Sequence, residues 1–209
     1  VVRGALFNGS MAHIHDPYLT SLVSEVRGHD LRLRPWDADS DTDVETWLRG
    51  ALDPEFRRWN TPVKPVTDAE SARETLRLRA READEGRCAA FRITAADSDT
   101  TLGHIGVNAV NHALKVARIG YWVLPEARGR GVATRALRLA ADWAFGELGL
   151  HRLELDHAVG HEVSCRIAER CGFRYEGTLR GAVFEAGRLD AFRDAHLHAR
   201  LSTDPEPAG

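Results

Sequence analysis

The chain has 209 residues, a formal net charge of −3 and 43% hydrophobic residues, which suits one domain of ordinary size with a sizeable core. The slightly negative balance argues against general nucleic-acid binding, no apolar run is long enough to span a membrane, and the start lacks the basic-then-apolar pattern of a signal peptide. The three cysteines, Cys88, Cys165 and Cys171, have no paired metal-ligand spacing and form no disulfide framework, so free thiols in a reducing cytoplasm are expected.

Residues 1–28, which hold the only methionine, Met11, are expected to be a tail outside the core fold. Leu31 to Arg34 alternates apolar and polar and reads as a strand. After an acidic, turn-rich run from Asp37 to Asp43, Val44 to Leu52 reads as a helix, with Trp47, Leu48 and Ala51 on one side and Pro54 as its stop. Pro62 and Pro65 make the stretch from Arg58 to Val66 a loop. Thr67-Asp68-Ala69-Glu70 has the pattern of a capping box, and the helix it opens carries Ala69, Ala72, Leu76, Ala80 and Ala83 as a stripe until Gly86 ends it. Strands are expected at Cys88 to Thr94, Leu102 to Val110 and Val116 to Leu124. A helix from Val132 to Leu148 buries Ala133, Ala136, Leu137, Ala140, Ala141 and Ala144 and turns Arg135, Arg138 and Asp142 outward. A strand at Leu153 to Ala158, a helix at Glu162 to Arg170, and strands at Phe173 to Phe184 and Leu189 to His198 complete a domain of residues 29–201. The proline-bearing segment 202–209 is expected to be disordered.

Seven strands and four helices in this order make an α/β (α+β) fold. Its sheet is mixed and largely antiparallel, with one parallel pair imposed by the central strand-loop-helix-strand unit.

Arg128-Gly129-Arg130-Gly131-Val132-Ala133-Thr134 lies between a strand and a helix. Its glycines let backbone N–H groups turn toward one centre, the helix start adds about half a positive charge, and two arginines add full ones. The segment reads as a phosphate or pyrophosphate site. It lacks the Gly-Lys-Ser/Thr of a Walker loop and the glycine spacing of a dinucleotide fingerprint.

With the preceding Gly120-Tyr121-Trp122-Val123-Leu124-Pro125-Glu126, this loop resembles the acetyl-CoA motif of the GNAT superfamily of N-acetyltransferases. Arg128, Gly131 and Ala133 meet its Gln/Arg-x-x-Gly-x-Gly/Ala pattern. Leu31 to Trp36, Gly103 to Gly106, Gly120-Tyr121-Trp122, Ser164, Cys171-Gly172-Phe173 and Glu176-Gly177 are similar to the subgroup of ribosomal-protein alanine and serine N-terminal acetyltransferases. The resemblance covers residues 30–201. It implies a V-shaped splay between the strands at 116–124 and 153–158. It also implies that backbone groups of Tyr121, Trp122 and Val123 pair with the pantetheine arm of acetyl-CoA and that Gly129 to Thr134 hold its pyrophosphate.

Transfer to an amine needs a proton acceptor, a fixed N–H for the oxyanion and a proton donor for the departing thiolate. The resemblance makes Ser164 the donor. The tyrosine that many relatives place four residues before the Gly of Gly-Phe is Ala168 here. His161 stands where an asparagine is usual, and its imidazole can still bond the pantetheine amide. Asp156, His157 or a water relay supplies the base; adjacent strand residues point to opposite faces, so Asp156 and His157 cannot both face the cleft. Arg118 replaces an acid common in the subgroup. Trp36, Trp59, Asn60 and Phe184 are expected on the acceptor side.

The implied reaction is acetyl transfer to a primary amine, a protein N-terminus in the first instance. A small-molecule amine and CoA binding without turnover are the other readings. No metal is expected, no membrane or direct nucleic-acid contact, and a homodimer is compatible with the reading.

Overall fold

The computed structural model describes residues 25–207. Its strands are β1 (Val26–Gly28), β2 (Leu31–Pro35), β3 (Ala89–Ala95), β4 (Thr101–Asn111), β5 (Val116–Val123), β6 (Arg152–Ala158), β7 (Arg174–Phe184) and β8 (Phe192–Leu201). Its helices are α1 (Asp41–Leu52), α2 (Pro54–Trp59), α3 (Ala69–Asp84), α4 (Val132–Gly146) and α5 (Glu162–Arg170). The strands form one sheet in the order β1-β2-β3-β4-β5-β6-β8-β7. Only β5 and β6 run parallel; every other pair is antiparallel. The mixed, largely antiparallel class expected from the element order is the one observed, with one more strand and one more helix.

The extra strand lies in the segment expected to stay outside the fold. Val26 to Gly28 pair with Leu31 to Leu33 across a turn whose two residues, His29 and Asp30, take positive φ angles of 52° and 57°. Such a turn favours Asn, Asp and Gly, and an Asp is present. The hairpin is tied to α4 by Arg135, whose guanidinium donates to the His29 carbonyl at 3.2 Å. The remainder of that segment, residues 1–24, lies outside the described residues, as do 208–209.

The extra helix starts where α1 ends. Pro54 stops α1, since it has no N–H to continue the ladder, and the same residue is favourable as the first of a new helix. Asp53 caps that helix by accepting from Phe56 N at 2.9 Å. The start of α3 also differs from expectation. Asp68, not Thr67, is the N-cap, and Ser71, not Glu70, closes the capping box; Ser71 Oγ accepts from Asp68 N at 3.1 Å while Asp68 Oδ1 accepts from Ser71 N at 2.8 Å.

The segment after β8 was expected to be disordered, but 202–207 folds back. Leu201 N donates to Asp204 Oδ2 at 2.9 Å, Arg174 pairs with Asp204 at 3.3 Å and the buried Arg200 pairs with Glu206 at 3.3 Å. These three polar partners hold a segment whose composition alone reads as a tail.

The sheet divides two layers. Leu137, Ala140, Ala141 and Ala144 of α4, with Ala168 of α5, are buried against Leu33, Phe91, Ile105 and Leu155. Trp143 meets Phe91 edge-on at 5.1 Å. On the other face α1 and α3 bury Val44, Trp47, Ala72 and Leu76 with Trp122 packed against them. Alternation along β5 explains the division: Ile119, Tyr121 and Val123 belong with the α4 layer and Trp122 with the α1 layer.

The parallel pair closes only part of its length. Val116 to Arg118 pair with Arg152 to Glu154, and beyond them β5 and β6 no longer pair with each other. From there β5 and β6 diverge, giving the V-shaped splay between 116–124 and 153–158.

Candidate active site

The mouth of the splay is the start of α4. A 3-10 turn at Pro125–Ala127 leads into Gly129 and Gly131, both left-handed at φ +71° and +70°. A Cβ on either would meet nothing within 4 Å, so the glycines are required by backbone conformation and leave the approach open. Gly131 is the N-cap and gives no side-chain bond to the helix start. The N–H groups of residues 131–134 bond to none of the described residues. Unbonded donors at the positive end of a helix dipole fit a pyrophosphate, so the residues present suit the phosphate end of acetyl-CoA.

The two loop arginines differ. Arg130 is exposed and makes no ion pair with a described residue. Arg128 does not offer its side chain to the loop: its guanidinium pairs with Asp53 and donates through Nε to the Val123 carbonyl at 3.0 Å. Asp53 is 8% exposed, and a carboxylate so buried needs a charged partner. Arg128 therefore clamps the end of β5 to the cap of α2.

At the base of the cleft, Tyr121 of β5 and Ser164 of α5 meet, Tyr121 Oη to Ser164 Oγ being 3.0 Å. Ser164 is 5% exposed and sits in the first turn of α5, its N–H bonded to the His161 carbonyl at 2.9 Å. Burial drives the Tyr121 phenol well above the ordinary tyrosine range, so it keeps its proton. The sequence reading attached weight only to the backbone of Tyr121, Trp122 and Val123. No spacing rule pairs positions 43 residues apart, and the bond exists because both elements border the splay.

Asp156 and His157 face opposite ways, as strand alternation requires. Asp156 lies on the Arg118 side, its carboxylate 4.0 Å from that guanidinium; Arg118 also reaches Glu154 at 3.7 Å. His157 is buried on the α5 side, with Nδ1 3.1 Å from the Ala158 carbonyl, and its pKa is lowered chiefly by burial. His161 is the N-cap of α5. Its ring stacks on Trp59 of α2 at 4.5 Å and 14°, and burial first, then the charge of nearby His157, lowers its pKa to about 4.

On the face opposite Tyr121 lies a cavity of about 780 Å³, lined by Trp47, Phe56, Asn60, Trp122 and Leu189 among others. Of the residues expected on the acceptor side, Asn60 lines it. Trp59 covers His161, Phe184 packs on Phe192 at 5.2 Å, and Trp36 stands behind the cavity against Trp47 and Trp122 at 5.2 and 6.1 Å. Trp47, which the sequence shows only as part of the apolar side of a helix, forms a wall of the cavity. Gly50 allows the arrangement, since a Cβ there would lie 2.5 Å from the Trp122 ring.

A cleft between splayed parallel strands thus leads from the unbonded N–H groups at the start of α4 to a buried hydroxyl pair. Residues 30–174 match the family model described as "Acetyltransferase (GNAT) domain", and the chain belongs to that family. It is 35% identical over 117 residues to the "Probable N-acetyltransferase YjcK" of Bacillus subtilis, covering 56% of this chain and 63% of that protein, so it spans less than two thirds of that relative. It is 29% identical over 158 residues to the ribosomal-protein-serine acetyltransferase of Escherichia coli, 75% of this chain and 80% of that one. The solved structure of Mycobacterium smegmatis RimJ in complex with CoA-disulfide superposes with a TM-score of 0.73 at 27% identity, covering 88% of this chain and 90% of that one. No helix among the described residues is long and apolar enough to cross a membrane.

Proposed function

We propose that this chain transfers the acetyl group of acetyl-CoA to a primary amine at the amino terminus of a protein or peptide. The observation that carries the reading is the continuous path from the unbonded N–H groups at the start of α4, along the open edge of β5, to the Tyr121–Ser164 pair.

In this reading Gly129 to Thr134 and the charge of Arg130 hold the pyrophosphate, with Val132 and Ala133 contributing backbone N–H groups. Backbone groups of Tyr121, Trp122 and Val123 beyond the last β5–β6 pair hold the pantetheine arm as an added strand would. Acetyl-CoA supplies a thioester carbonyl and a thiolate leaving group. Tyr121 donates to Ser164 Oγ, which leaves the Ser164 O–H for the departing sulfur. Asp156, on the acceptor side, takes the proton of the attacking amine. An α-amine with a pKa of about 8 needs only a modest base. His157 faces the other layer and is set aside as the base.

The cavity supports a peptide terminus over a polyamine. It is an open groove, and its charged lining is Arg57, Lys64 and Arg79 against Glu74 and Glu82, which is no trap for a polycation. The three free cysteines support a reducing, cytoplasmic setting. Thiol release measured over N-terminal peptides and over small amines tests the reading. Turnover on peptides with free α-amines is expected; turnover on polyamines or aminoglycosides alone would replace the acceptor class, and CoA binding with no turnover on any amine would refute the enzyme.

A further inference from the structure

Away from the transfer path, three histidines and a cysteine converge between the sheet and α5. His157 of β6, Cys165 of α5, and His196 and His198 of β8 each offer one ligand atom, and the four atoms lie within 4.8 Å of one another. The topology produces this. In the antiparallel β6–β8 pair His157 stands opposite His196 and Leu155 opposite His198, so three imidazoles share one sheet face. Helix α5 then lays Cys165 over them, with Sγ 3.3 Å from His196 Nδ1.

The imidazoles are set in a ligating form. His157 Nδ1 lies 3.1 Å from the Ala158 carbonyl; donating its proton there leaves a bare lone pair on Nε2. That Nε2 is buried and has no hydrogen-bond partner, in a residue only 8% exposed. His198 is 0% exposed, and neither of its ring nitrogens has a partner of normal hydrogen-bond geometry, although the Phe173 backbone lies near enough to favour its charged form. Buried polar atoms are normally satisfied, and an orphan points to a missing ion or water. Metal-bound histidines typically donate their second N–H to a backbone carbonyl, which is the His157 arrangement.

We propose that His157, Cys165, His196 and His198 form a binding site for a single zinc ion. Nitrogen and sulfur donors suit zinc over magnesium or calcium, and four protein ligands complete a tetrahedron with no open position, which marks a structural site. Binding exchanges the Cys165 S–H proton for a sulfur–zinc bond and releases that proton to solvent. Zinc bonds of about 2.0–2.3 Å require the ligand atoms to draw in by about an ångström. Cys165 and His196, both half-buried, have room to do so. The ion pins α5 to β6 and β8 one residue from Ser164, and it consumes His157 as a ligand. The site does not depend on the acetyl-transfer reading.

The test uses the full chain after chelator treatment, titrated with Co²⁺ as an optical probe and then Zn²⁺. One Co²⁺ per chain is expected, with the visible bands of a tetrahedral site and a near-ultraviolet sulfur-to-cobalt charge-transfer band, both abolished by one equivalent of Zn²⁺. Cys165→Ala should remove the charge-transfer band and weaken binding by about tenfold or more, since even outer-shell partners are worth about that. Zn²⁺ should raise the melting temperature of the wild type and not of Cys165→Ala. His196→Gln gives the same comparison if the first variant folds poorly. No stoichiometric binding, or binding of unchanged affinity and spectrum in both variants, overturns the site, because the metal would then sit on other histidines.

Discussion

At the scale of single residues, the proposed function gives the Tyr121–Ser164 pair the task of protonating the leaving group. If Ser164 gives its proton to the thiolate, Ser164→Ala lowers kcat by roughly ten- to a hundredfold with acetyl-CoA affinity nearly unchanged, because the contact exists only in the transition state. Tyr121→Phe removes one hydrogen bond of about 0.5–1.5 kcal/mol, so a loss in kcat of up to about tenfold is expected. Rapid-quench measurement of the chemical step on both variants checks this, and wild-type rates in Ser164→Ala would remove the serine from the mechanism. Asp156→Asn tests the base: kcat/KM should fall and the acidic limb of its pH profile should disappear, whereas a retained limb assigns the base elsewhere. Ser164 was singled out in the sequence through a family motif, and the opposite facing of Asp156 and His157 through strand geometry. The partners of Arg128 and Tyr121 were not legible. Arg128 turns to Asp53 and Tyr121 to Ser164, and both partners come from elements distant in sequence.

Elements place these residues, and two glycines show how tightly. Gly131 has left-handed φ with open space around it, so Gly131→Asp folds at a modest backbone cost yet sets a carboxylate beside the N–H groups of α4. Calorimetry should show acetyl-CoA affinity lowered by tenfold or more, roughly 1.4 kcal/mol or greater; undiminished affinity in a folded variant would contradict the cradle. Gly50 is the opposite case. Alanine in mid-helix ordinarily gains about 1 kcal/mol over glycine, but here the new Cβ would lie 2.5 Å from a Trp122 ring held between Trp36 and Trp47. Overpacking of this kind costs about 1–3 kcal/mol, so Gly50→Ala should be neutral to destabilising by urea titration and should raise KM for the acceptor by displacing the Trp122 wall. Periodicity and turn residues revealed most elements because α4, α5 and the strands have clear stripes and stops. It missed β1 and α2, three and six residues long, which are too short for a period to show and are fixed by a hairpin turn and an aspartate cap instead.

Across the whole molecule, the sheet order was legible only as a class, since the pairing of β8 between β6 and β7 depends on contacts no local pattern records. Several histidines are lowered in pKa inside the fold, some on that pairing and some elsewhere, and this has a thermodynamic consequence. His104 is buried against Trp36, Trp47 and Trp122, with Nδ1 within reach of both the Trp36 indole N–H at 3.1 Å and the Phe91 carbonyl at 3.0 Å, accepting from one or donating to the other by tautomer. Burial first, then the Arg79 charge, pushes its pKa down to about 3. His161 is lowered to about 4, and His157 and His198 are lowered as well. In the unfolded chain these groups titrate near 6.5. Between that value and their folded pKa values the unfolded state binds protons that the native state does not, so stability present above about pH 6.5 is lost as pH falls. For His104 alone the slope is about 1.4 kcal/mol per pH unit over that window. Urea unfolding at pH 7.5, 6.0 and 5.0, in chelator to keep metal linkage out, should show the midpoint falling with each step. His104→Gln should flatten the decline even if it lowers stability at pH 7.5. A midpoint constant from pH 7.5 to 5.0 in the wild type would mean that the buried imidazoles find proton-stabilising partners, and the neutral packing of His104 in the tryptophan nest would be wrong.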